Sequence, residues 1–157
     1  MVRPSFQVLG LTILLLFAGC ATDPSANNPT ATTVEPALVS VSTSGGQCVD
    51  DPRHGFDIES EPASNGSELV SVAGNVTVPG AHYTVAEGSP TLAQTGPRAY
   101  RLDVNTTEST KKPAKTCEMG GIVHYEATIR VPDTDSFDLV IRHDGHPVTG
   151  VGSDRET

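Results

Sequence analysis

The chain predicts an all-β fold, a small antiparallel β-sandwich of Ig-like architecture or a small barrel, set behind an export signal and a disordered tether. Three observations predict it. Apolar residues alternate at period two in several short runs, the pattern of half-buried strands. Turn pairs built from Gly, Pro, Asn and Asp recur between those runs. No amphipathic helical stretch of useful length interrupts them. Seven or eight short strands separated by frequent turns fit a sandwich or a small barrel. The chain has no Trp, so the Ig core tryptophan is missing and Ig-like refers to architecture alone.

Residues 1–19 have signal-peptide layout, with Arg3 near the start and an apolar run from Val8 to Phe17. That run is about half the roughly 20 residues a membrane-spanning helix needs. It ends in Leu16-Phe17-Ala18-Gly19-Cys20, where two small residues precede a cysteine. This pattern resembles the lipobox of bacterial and archaeal lipoproteins, with Phe17 where Leu is usual. The resemblance implies cleavage before Cys20 and lipidation of that residue. Two acyl chains, at roughly 0.8 kcal/mol per buried methylene, hold a protein stably on a membrane.

Residues 20–36 are mostly Ala, Thr, Pro, Asn and Ser, with almost nothing to bury, and read as a disordered tether. The folded domain is expected over 37–151, with a disordered tail over 152–157. Residues 121 to 131 carry the clearest strand, with Val123, Tyr125, Ala127, Ile129 and Val131 on one face. Phe137, Leu139 and Ile141 mark a second strand, and Tyr100, Leu102 and Val104 a third. Weaker candidates are 38–43, 69–72, 75–78, 82–86 and 147–151. Asp144-Gly145 between two apolar runs predicts a hairpin over 136–151 with a two-residue turn. Residues 44–66, rich in Gly, Asp, Pro and Ser, are expected to include a long loop pinned by Cys48.

With Cys20 lipidated, Cys48 and Cys117 remain, and in an oxidising compartment they are expected to pair. The loop closed would be about 70 residues, worth on the order of 4 kcal/mol by chain entropy. The net charge of −9 excludes nucleic acid as a partner, because no basic patch exists to neutralise phosphates. The only clustered cations are Lys111, Lys112 and Lys115, in an expected loop. The acidity, with abundant Thr, Val and Asp, also suits a high-salt organism.

His143-Asp144-Gly145-His146 is the densest group of candidate metal ligands, since neutral imidazole suits zinc or copper. Across a hairpin end His143 and His146 would be neighbours, with His124 or His82 as a further ligand. Exposed turn residues that only solvate the loop are the plainer reading. Cys117-Glu118-Met119 with His124 lacks the spacing of a blue-copper site. No GxSxG, HExxH, P-loop or strand-following GxGxxG occurs, so no enzyme class and no cofactor is indicated. Tyr83, Tyr100 and Tyr125 are expected in the core or at its edge, with their hydroxyls at a polar rim. Asn65, Asn75 and Asn105 open N-x-[ST] triplets, which are glycosylation acceptors where the machinery exists.

From Val72 to Gly145 a set of motifs stands out: Gly74-Asn75-Val76-Thr77-Val78-Pro79, His82-Tyr83, Tyr100 to Val104, Cys117, Val123-His124-Tyr125-Glu126-Ala127-Thr128 and Val140-Ile141-Arg142-His143-Asp144-Gly145. Together they resemble a domain of haloarchaeal secreted lipoproteins. That family implies a cysteine after the Val-Pro segment, where this chain has Gly80-Ala81, so Cys48 would take its place as partner to Cys117. The resemblance implies the compartment and the fold class, and it carries no activity. The function expected is a lipid-anchored binding or structural module on the extracytoplasmic face of the cell membrane, with a cell-surface protein as partner. The alternative is a metal-binding accessory protein or metalloenzyme using His143 and His146.

Overall fold

A computed structural model describes residues 34–111, 113–132 and 136–148. The signal at 1–19, the lipidation site Cys20, most of the tether, the tail at 152–157 and the end of the strand expected at 147–151 lie outside the described residues. Among the described residues all regular structure is strand, in the order β1 (Ala37–Thr43), β2 (Gln47–Cys48), β3 (Gly55–Ala63), β4 (Ser67–Gly80), β5 (Tyr83–Val85), β6 (Thr91–Gly96), β7 (Ala99–Val104), β8 (Thr106–Glu108), β9 (Thr116–Pro132), β10 (Asp138–His143) and β11 (His146–Val148).

Two sheets face each other, and neither closes into a barrel, so the architecture is a sandwich. The larger sheet has the order β1-β9-β4-β3, and β2 also pairs with β9. The smaller has the order β11-β10-β7-β6, and β5 and β8 form a separate pair. Two long strands form the spine of the larger sheet. Strand β9 runs for 17 residues and β4 for 14, antiparallel from Ser67↔Pro132 to Gly80↔Thr116. Both alternate along their central stretches, 68–78 and 121–131. Val70, Val72, Val76 and Val78 on β4, with Val123, Tyr125, Ala127, Ile129 and Val131 on β9, form most of the core. Val85 of β5 and Tyr100, Leu102, Val104 and Ile141 of the smaller sheet complete it. Each fully buried aliphatic side chain contributes roughly 1.5–3 kcal/mol.

Several elements differ from the sequence expectation. The loop expected within 44–66 contains β2 and the nine-residue β3, because Phe56 and Ile58 pack inward while Asp57, Glu59 and Glu61 point to solvent. A polar edge strand has little apolar signal to read. The two strands expected at 69–72 and 75–78 are one, since Gly74 continues the ladder opposite Tyr125. Glycine fits there because a Cβ would run into the Tyr125 ring. Asn65 and Gly66, both at positive φ, turn β3 into β4. Asp144 and Gly145, also both at positive φ, form the two-residue turn expected between β10 and β11. The main partner of β10 is β7, and that pair is parallel, from Asp138↔Ala99 to His143↔Val104. The chain leaves the smaller sheet after β7, passes through β9 in the other sheet, and returns in the same direction. Cys48 and Cys117 are joined across a separation of 69 residues, tying β2 to the start of β9.

Candidate functional site

The histidines singled out in the sequence do not form one cluster. His143 is fully buried, His146 is exposed beyond the turn, and His124 is half-buried with its ring 2.8 Å from the Gln47 amide. His82 packs elsewhere, against the Lys115 backbone and near Glu108. Among the described residues no group of three or more His, Cys, Asp or Glu could hold a metal ion. Asp144 clamps β8 instead, its carboxylate accepting from the Thr106 N–H (2.6 Å) and hydroxyl (2.9 Å).

His143 belongs to a hydrogen-bonded chain that the sequence did not disclose. Its Nε2 lies 2.9 Å from the Tyr125 hydroxyl, and its Nδ1 lies 3.2 Å from Nδ1 of His54. His54 Nε2 is 2.7 Å from the Thr77 hydroxyl, and its Nδ1 accepts the Thr77 backbone N–H at 3.3 Å. That backbone donor fixes the direction of the whole chain. An N–H can only donate, so His54 Nδ1 is bare and its proton sits on Nε2, donated to Thr77. His143 must then carry its proton on Nδ1, donated to His54, and its Nε2 accepts from Tyr125. Every ring nitrogen then has a partner, the lone pair of His54 Nδ1 being shared by the Thr77 N–H and His143. Burial, reinforced by neighbouring His54 and opposed by Asp144, lowers the His143 pKa to about 4. Burial also raises the Tyr125 hydroxyl far above its ordinary value. The chain joins β10 of one sheet to β9, β4 and the entry to β3 of the other, and acts as an internal staple.

The concave surface lies on the opposite side of the larger sheet. There the β4 residues that face solvent are small, Ser71 and Ala73, while the flanking strands carry longer acidic ones. Register sets them in rows. Asp57 pairs with Ala73 and Ala73 with Glu126, while Glu59 pairs with Ser71 and Ser71 with Thr128. Long carboxylates on both sides of a small-residue floor leave a trough of about 680 Å³. It continues past Asn75 and His124 into a second hollow of about 470 Å³ that shares Asp57, Ala73 and Glu126. Asp57 and Glu126 stand two strand spacings apart, about 10 Å. Carboxylates placed on both sides of the floor suit cationic groups. Among the described residues no ion pair neutralises Asp57, Glu59 or Glu126.

The sequence signal for this face was the polar half of each alternating strand. It could not be assembled without the register that sets β3 beside β4. Of the expected acceptor asparagines, Asn65 and Asn105 are exposed at strand ends, and Asn75 is half-buried and lines the trough. Tyr100 is buried edge-on to Phe137, and Tyr83 donates to Glu108 at 3.0 Å on an exposed edge. Comparison with protein-family models, curated proteins and solved structures returns no match to this chain.

Proposed function

We propose that this chain is a lipid-anchored, extracytoplasmic binding module whose site is the acidic trough of the larger sheet, and that its ligand is an extended cationic segment of a cell-surface protein. The trough carries the reading: carboxylates with no ion pair among the described residues, on strands about 10 Å apart, flank a floor low enough to admit an extended chain. Lys or Arg side chains on such a segment would meet Asp57 and Glu59 on one side and Glu126 on the other. The lipobox ending at Cys20 supports the anchor, and a Cys48–Cys117 pair accords with an oxidising compartment.

Two measurements test it. Mass spectrometry of the protein from membranes is expected to show a diacylated Cys20 at the mature start; an intact Met1 on a cytosolic species overturns the location. Calorimetric titration with oligolysine at low salt is expected to show binding that weakens steeply as salt rises. Changing Asp57→Asn and Glu126→Gln together is expected to weaken it about five- to thirtyfold, from roughly 0.5–1 kcal/mol per exposed pair. Affinity that does not change in the double variant overturns the site.

A further inference from the structure

The loop 109–115, which joins β8 to β9, carries Lys111, Lys112 and Lys115, the one cluster of lysines in the chain. Lys111 and Lys115 are exposed, and among the described residues no ion pair engages either. Arg53, Arg101 and Arg142 are instead engaged by Asp51 and Asp103. Between the lysines stand Pro113 and Ala114, both exposed and both short. The loop is therefore the counterpart of the trough. The trough has a low floor of Ser71 and Ala73 between walls of Asp57, Glu59 and Glu126, and the loop has a low apex flanked by long cations. The two cannot meet within one chain. From Thr116, where β9 begins, to Glu126 is ten residues, roughly 33 Å, while a loop of this length reaches out roughly 10 Å.

We infer that the lysine loop of one copy docks in the trough of a second copy, so that the cationic segment is supplied by this chain itself. The inference rests on the trough being the binding site and names its partner. Lipid headgroups are the other anions near an anchored protein, and strand geometry keeps them from the loop. Strand β1, where the tether joins the fold, begins opposite Arg130, fourteen residues along β9 from Thr116. That end is roughly 46 Å from the loop, several screening lengths away. A second copy has no such limit. The expected tether over 20–36 spans up to roughly 56 Å, enough for neighbours to stagger by the roughly 33 Å the contact needs. The net charge of −9 on each copy opposes the approach, but beyond about 8 Å it is screened at physiological salt, and the loop faces only the trough walls. Each copy offers one loop and one trough, which is a head-to-tail contact. A few exposed ion pairs make it weak in solution, with a dissociation constant on the order of 0.1–1 mM. Anchoring copies on one surface raises their local concentration into that range.

Sedimentation equilibrium of the full chain in detergent, up to about 1 mM, is expected to show self-association that weakens as salt rises. Two variants divide the contact. One changes Lys111→Gln, Lys112→Gln and Lys115→Gln, and the other changes Asp57→Asn, Glu59→Gln and Glu126→Gln. Each alone is expected to raise the dissociation constant at least about tenfold, with an unchanged circular dichroism spectrum. An equal mixture is expected to form one-to-one pairs and nothing larger, because it holds one intact loop and one intact trough. In the parent chain, a carbodiimide that condenses an amine with a touching carboxylate, losing water, is expected to join Lys111 or Lys115 to Asp57, Glu59 or Glu126. A parent chain that stays monomeric overturns the inference, and so do variants that associate as the parent does or a mixture that stays monomeric. Oligolysine tells this failure from that of the site: binding to a monomeric chain leaves the trough standing and removes only the second copy, while no binding removes both. Lysines shielded from an acetylating reagent only in vesicles that contain phosphatidylglycerol assign the loop to lipid and also overturn the inference.

Discussion

His143 shows how one side chain acquires its role from its surroundings. In the sequence it stands beside Asp144 and His146 and looks like a ligand, whereas in the fold it is 1% exposed and held neutral between Tyr125 and His54. Its folded pKa of about 4 lies below its unfolded value of 6.5. Above 6.5 both states are neutral and the site carries no penalty. As pH falls below 6.5 the unfolded chain takes up a proton that the folded chain refuses, so stability declines until about pH 4, where both are protonated. The full loss is about 3 kcal/mol. Urea midpoints measured from pH 7 to pH 4 are expected to fall accordingly, and His143→Gln to flatten that decline. Tyr125→Phe leaves His143 Nε2 without its donor and is expected to cost about 1–3 kcal/mol in thermal or urea melts. Gly74→Ala drives a Cβ into the Tyr125 ring, which His143 holds in place, and is expected to cost about 1–3 kcal/mol by the same measurement. None of this was legible from residue types alone. His54 lies in a stretch that reads as loop, and whether a hairpin histidine points inward depends on how two sheets stack.

At the level of strands, legibility followed burial. The runs at 100–104, 121–131 and 137–141 and the turn at Asp144-Gly145 were readable because one face of each strand is core and the other is polar. Strand β3 was missed because Asp57, Glu59 and Glu61 outweigh Phe56 and Ile58 in its composition, and β6 because its side chains are only half-buried or exposed. Gly120-Gly121 lies within β9, with Gly120 at a φ of 105° beside the register shift between Val78 and Gly80. The Cys48–Cys117 pairing followed from counting cysteines once Cys20 was assigned to lipid, and it fastens the two-residue β2, which has little else to hold it. Replacing both cysteines by Ser is expected to lower stability by about 4 kcal/mol, read as a lower urea midpoint, because the unfolded chain regains the freedom of a long loop.

Across the whole molecule, the fold class was legible and the sites were not. Alternation says that a strand has a wet face, but the trough exists only because register aligns Asp57, Ala73 and Glu126, and residue order cannot supply that alignment. The parallel pair β7–β10 is a long-range contact, made only after β9 has been laid into the opposite sheet. Truncation after Pro132 is therefore expected to uncover Tyr100 and Leu102 and to increase binding of the dye ANS. The same arrangement has a temporal side. A polypeptide emerging amino-end first, from a ribosome or an export channel, can complete its larger layer once Pro132 is free. The second layer must wait with its middle rung missing until His143 has emerged. A chain stopped short of β10 betrays itself to quality-control proteases by the greasy flank it cannot hide.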